Sequence, residues 1–231
     1  MPSLITSYFA VSSLSGDTSS LSTPSFTPSN GEVLVVKSAT WDTGTPSGVP
    51  SGGGQTYTQR AVAAPGGFAS YSTIYTAVVS GSPGSMTVSL APPGSSCYHS
   101  MVVERWSSAQ LAGTPATNGT VHGTNSAPSA TLTSTGTNSI ITWVNSDENS
   151  RDPATRTYLS SATDDGVADG HSQSSSVHYY AYQTAASAGT QTIGLSAPGA
   201  QNWGLVGIEI LNSTPPPTSP PGAGFLTFFQ D

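Results

Sequence analysis

The chain has 231 residues, of which only 7% are charged, with a formal net charge of −7 and one lysine, Lys37. This composition leaves no basic patch for nucleic acid or an anionic membrane, and a lone cysteine, Cys97, excludes an intrachain disulfide and a thiol-rich metal site. Nine Tyr, six Phe and four Trp, with abundant Val, Ile and Thr, separate it from disordered chains of low hydrophobicity.

The opening MPSLITSYFAVSS has neither a basic n-region nor a continuous apolar h-region, so no cleaved signal peptide is expected, and no stretch reaches transmembrane-helix length. Period-2 apolar runs bounded by turn residues then predict strands over residues 4–11, 32–41, 55–63, 68–79, 85–90 and 97–106. The second half offers 130–134, 139–145, 155–160, 176–184, 190–196 and 202–211. These make about a dozen strands and no convincing helical period, which predicts an all-β, jelly-roll-like sandwich. Alternation assigns inward faces to Val33 and Val35; Ile74, Thr76 and Val78; Met101 and Val103; Ile140, Thr142 and Val144; and Val206, Ile208 and Ile210.

The halves resemble each other. Residues 87–106 read TVSLAPPGSSCYHSMVVERW and residues 192–211 read TIGLSAPGAQNWGLVGIEIL, without a gap at an offset of 105. Leu90 answers Leu195, Pro93-Gly94 answers Pro198-Gly199, Tyr98 answers Trp203 and Glu104 answers Glu209. Each copy reads as a strand, a Pro-Gly turn and a second strand, a hairpin-like unit used twice. Upstream, STIYTAVV (72–79) matches VHYYAYQT (177–184), and GEVLVV (31–36) matches TNSIITWV (137–144).

Low-complexity connectors occupy residues 12–25, 43–54 and 113–128, read as surface loops or slack. The last is the one plausible linker, but a single domain over residues 1–212 is expected, its pseudo-repeat halves (about 1–112 and 129–212) interleaved in two shared sheets. After Leu211 comes NSTPPPTSPPGAG and then FLTFFQD, defining residues 213–231 as an arm. Its proline run predicts a semi-rigid polyproline II spacer rising ~3 Å per residue. Beyond it, Phe225, Leu226, Phe228 and Phe229 form an apolar hook, expected to dock on a neighbouring subunit, where burial of four such side chains contributes roughly 6–12 kcal/mol before ordering costs.

Chemistry-bearing motifs are weak. DDGVADGH (Asp164, Asp165, Asp169, His171) and NSDENSRD (Asp147, Glu148, Asp152) are acidic loops without EF-hand spacing, read as solvated tips. Glu104 and Glu209 are the one strand-borne carboxylate pair that the repeat relates, the minimum for glycoside hydrolysis. No G-x-S-x-G elbow or H-E-x-x-H spacing occurs, and His99 and His178 read as structural strand histidines beside His122 and His171. Tyr57, Tyr71, Tyr75, Tyr98, Tyr179, Tyr180, Tyr182 and Trp203 could supply sugar-binding platforms, although most read as core. The sequons at Asn118 and Asn212 matter only on a eukaryotic secretory route. No enzyme, cofactor or metal is expected.

The succession of GEVLVV, IYTAVVSGSPGSMTVSL, VVERW and a second pass ending IEIL resembles the β-sandwich modules of minor tail and related virion proteins of tailed bacteriophages of high-GC actinobacterial hosts, over about 200 residues. The resemblance implies a structural virion component, on the tail rather than the capsid, homo-oligomeric, touching other virion proteins and a host-surface glycan. It names no active site. The absence of a coiled-coil or collagen-like shaft favours a compact decoration over a fibre, and the alternatives are a capsid decoration protein and a secreted or surface carbohydrate-binding module.

Overall fold

The computed structural model describes residues 1–12, 19–41, 48–63, 70–93, 97–111, 118–148, 156–169 and 176–213. The described residues are all-β. The first half forms β1 (Ser3–Val11), β2 (Leu21–Ser22), β3 (Val33–Trp41), β4 (Thr58–Ala63), β5 (Tyr71–Val78), β6 (Ser89–Leu90) and β7 (Tyr98–Ser107). Then follow β8 (Ala109–Leu111), β9 (Asn118–Ser126), β10 (Ser129–Ser134), β11 (Ser139–Asp147), β12 (Thr157–Tyr158), β13 (Thr163–Asp169), β14 (Val177–Ala185), β15 (Gly189–Ala197) and β16 (Gln201–Asn212).

The two large sheets have one plan. The first runs β1-β7-β3-β5-β4; the second runs β13-β14-β11-β16-β8, with β9 also on β16. Repeat-related strands thus hold the same places: β3 and β11 at the centre, β5 and β14 on one side, β7 and β16 on the other. Each large sheet has a smaller one on its outer face, β2-β6 for the first half and β10-β15-β12 for the second. Apart from β8, which joins β16, the halves are therefore not interleaved, contrary to expectation. Each makes its own sandwich, and the two sandwiches stack through their large sheets.

Three cores follow from this four-layer order. Val33, Val35, Ile74, Val102 and Trp106 meet Ile140, Val144, Tyr180, Val206 and Ile208 between the large sheets. Leu34, Val36, Met101 and Val103 pack under Leu21, Val88 and Leu90. Ile141, Trp143, Tyr179 and Leu205 pack under Leu132, Ile193 and Leu195. The central strands are buried on both faces, which is why VLVVKSATW and SIITWVNSD lack a polar side.

The Pro-Gly units are not hairpins. Each joins a strand of an outer sheet (β6, β15) to one of a large sheet (β7, β16), so Leu90 faces Met101 and Val103 across a core rather than beside them. Proline, which has no N–H for a ladder, suits a connection that leaves its sheet. A second correction concerns residues 113–128: β9, inside the expected linker, pairs antiparallel with β16 from Ile208↔Asn118 to Gln201↔Ser126. Its backbone groups add an edge strand without needing apolar side chains.

Candidate functional site

The most chemically loaded place in the molecule lies between the two large sheets. Lys37 sits at the middle of β3, two residues beyond Val35 on the face toward the second half. Val35 pairs with Glu104 and Lys37 with Val102, so Glu104 is the diagonal neighbour of Lys37 on that face. Lys37 Nζ donates to Glu104 Oε1 at 2.6 Å and to Asp165 Oδ2 at 2.8 Å. The side chains of Lys37 and Glu104 are 0% exposed and that of Asp165 is 2% exposed.

Asp165 reaches this place through a bulge. Asp164 pairs with Ala181 and Gly166 with Tyr180, leaving Asp165 unpaired in β13 and its side chain turned inward. The first half has the same irregularity between Gln59 and Ala61 of β4, where Arg60 occupies the bulge and donates to Thr76 Oγ1 at 2.7 Å. Gly166 supplies the left-handed φ of 140° that follows, and Phe9 lies 3.1 Å from where its Cβ would be. Phe9 stacks edge-on against Tyr180, whose ring centroid is 5.9 Å from Lys37 Nζ, closing the cluster with aromatic surface.

Glu104 is held from three sides. Thr142 Oγ1 donates to Oε1 at 2.8 Å, Trp106 Nε1 to Oε2 at 2.9 Å, and Lys37 completes the set. Burial raises the Glu104 pKa and the Lys37 ammonium opposes this, with Asp165 adding repulsion; the outcome is a carboxyl pushed up to about 7. Burial by itself disfavours the Lys37 charge, but Asp165 and Glu104 outweigh it and its pKa is raised. An ammonium and two carboxyl groups thus face one another in the protein interior.

A second polar network lies on the same interface. Ser100 Oγ contacts His178 Nδ1 at 2.6 Å and Tyr180 Oη at 2.6 Å, and Ser176 Oγ contacts His178 Nε2 at 2.9 Å. His178 is thus saturated by two hydroxyls inside the protein, the structural role expected for it. Cross-half hydrogen bonds from Ser72 Oγ to Gly204 O (2.7 Å) and from Ser146 Oγ to Thr40 O (3.3 Å) continue the seam.

Glu104 and Glu209 do not form a pair. Val102, Trp106, Val206, Ile208 and Ile210 all face the shared core, so even-numbered positions of β7 and β16 point the same way and an offset of 105 exchanges faces. Glu209 points outward to the turn before β11, accepting from Ser139 Oγ (2.6 Å), Thr135 N (2.8 Å) and Gly136 N (3.0 Å). Burial raises its pKa, but these donors outweigh burial and lower it. Arg105, also on the outer face, does the matching task in the first half: it donates to Glu32, the residue before β3, at 3.0 Å.

The acidic loops divide. Asp164 is ion-paired with Arg156, Asp165 joins the buried cluster, and Asp147 is buried in β11 while Glu148 Oε1 accepts from Ser70 at 3.0 Å. Asp152 and His171 lie outside the described residues, as do Phe225, Leu226, Phe228 and Phe229. Among the described residues no group of three or more His, Cys, Asp or Glu could hold a metal. Tyr57, Tyr75, Tyr98, Tyr179, Tyr180 and Trp203 are core residues, leaving half-buried Tyr71 and Tyr182 from the expected sugar-binding rings.

A cleft of about 340 Å³ lies where β16 ends, lined by Gln110, Thr135, Gly136, Thr137, Leu211 and Asn212. Sequence reasoning missed Lys37 and read Asp165 as part of a solvated loop tip, whereas its side chain is buried against Lys37. A signal for the first was available, since V-x-V-x-K alternation places the one lysine of the chain inward; the bulge that turns Asp165 inward left none.

Comparison with known proteins returned no match to a family model, a curated protein or a solved structure.

Proposed function

We propose that this chain is a structural protein of a tailed-bacteriophage particle, a minor tail protein with jelly-roll-like halves, docked to neighbouring subunits by the segment after Asn212 and contacting the host surface with its loops. The observation that carries this reading is the inward use of its strongest chemistry. Lys37, Glu104, Asp165 and His178 are all placed at the seam between the two halves, tying one sandwich to the other. Such an arrangement suits a rigid structural module, and the apolar residues Phe225, Leu226, Phe228 and Phe229 beyond a proline spacer suit clipping onto a partner. Many copies on a particle would also make weak glycan contacts effective through avidity.

Immunogold labelling of particles with antibody against residues 1–212 tests it. Gold on tails is the expected result; gold on heads would make it a capsid decoration protein, and label on cell walls with bare particles would support the carbohydrate-binding alternative. Deleting residues 213–231 is expected to abolish incorporation into particles, and unchanged incorporation would remove the docking role of the arm.

A further inference from the structure

We propose that Lys37 and Asp165 become joined by an intramolecular isopeptide bond, formed without any other protein, with Glu104 as the catalytic acid–base residue. Three observations on the geometry carry this. The amine and the Asp165 carboxyl are in contact at 2.8 Å, held by two different halves of the molecule and separated by 128 residues in sequence. Glu104 contacts the same nitrogen at 2.6 Å, so one carboxyl can move protons to and from the reacting pair. Both oxygens of Glu104 are engaged by Thr142 and Trp106, which fix it as the proton carrier, whereas among the described residues the Asp165 carboxyl is hydrogen-bonded to Lys37 alone.

The reaction balances without a co-reactant. A proton passes from the Lys37 ammonium to the Asp165 carboxylate, giving a neutral amine and a neutral acid. The nitrogen lone pair attacks Asp165 Cγ, forming the N–C bond and placing the carbonyl electron pair on oxygen. Glu104 accepts the proton shed by nitrogen and delivers it to the departing hydroxyl; the C–O bond breaks, water leaves and Glu104 returns to its starting state. Fixed contact replaces a bimolecular encounter, and the product removes two buried charges. The raised pKa of Glu104 suits a group that must both give and take a proton near neutrality.

The full-length chain tests this directly, by intact mass and by Lys-C digestion under denaturing conditions. Lys37 is the one lysine in the sequence. The expected result is a chain lighter than its sequence mass by one water, resistant to Lys-C, and yielding, on digestion with a second protease such as chymotrypsin, a branched peptide that links residues 37 and 165. A D165A chain is expected to keep its full mass and be cut after Lys37, and most E104Q chains to keep their full mass and become cleavable. A wild-type chain of full sequence mass, cut completely after Lys37, would overturn the proposal, as would a branch to residue 104. Full cross-linking in E104Q would overturn the role given to Glu104. The wild-type measurement needs no variant to fold.

Discussion

His178 gives the fold a dependence on pH in the acid range. Burial is the main cause of its depressed pKa, reinforced by the nearby His99, and the value falls to about 3. Folded, the ring stays neutral between two serine hydroxyls; unfolded, it protonates below about 6.5. The stability it contributes is therefore complete above the unfolded value and is lost as pH falls from there toward about 3, at up to ~1.4 kcal/mol per pH unit. H178Q keeps a polar, uncharged side chain and loses this dependence. Melting temperatures measured at pH 7, 6 and 5 should decline more steeply for the wild type than for H178Q, and parallel declines would remove His178 as the source.

At the scale of the element, the central question is which face of a strand points where, and this was only partly legible. Strand positions were readable because Val, Ile and Tyr runs alternate with Pro, Gly and Ser, and the repeat was readable from the match of residues 87–106 to 192–211. Facing was not, because β7 and β16 are buried on both sides and period-2 alternation has no polar face to mark. Met101 and Val103 share a buried face, as expected, but it belongs to the outer core, while Val206 and Ile208 belong to the shared one. Residues 163–169 read as an acidic loop because pairing through backbone groups leaves no apolar trace. Strand glycines report the close approach of the outer sheets. A Cβ on Gly207 would lie 2.5 Å from Ile193 Cδ1 and 3.2 Å from the Cβ of Trp143, with β11 beside it and β15 above. G207V is expected to lower stability by about 1–3 kcal/mol, seen as a lower denaturant midpoint with an unchanged m-value; a neutral outcome would mean that β15 can lift from the sheet without loss.

For the whole molecule, the two sandwiches share a core that neither can bury by itself. The face of the first large sheet toward the second carries Val33, Val35, Ile74, Val102 and Trp106 together with Lys37 and Glu104, all 0–1% exposed. Separating the halves would wet that apolar surface and strip Lys37 of Asp165, leaving charges placed for partners in a sheet no longer present. Ser72, Ser146 and Thr142 would lose cross-half acceptors in the same event. Neither half should therefore persist folded after the other has opened, although each has its own outer core. Among the described residues, the three cores run from Leu4 to Ile210. A chain comprising residues 1–212 should accordingly remain soluble and unfold in one calorimetric transition, with van't Hoff and calorimetric enthalpies equal. Two transitions would show that each outer core sustains its sandwich without the shared one, and failure of residues 1–212 to fold would place the arm within the structure it is expected to leave.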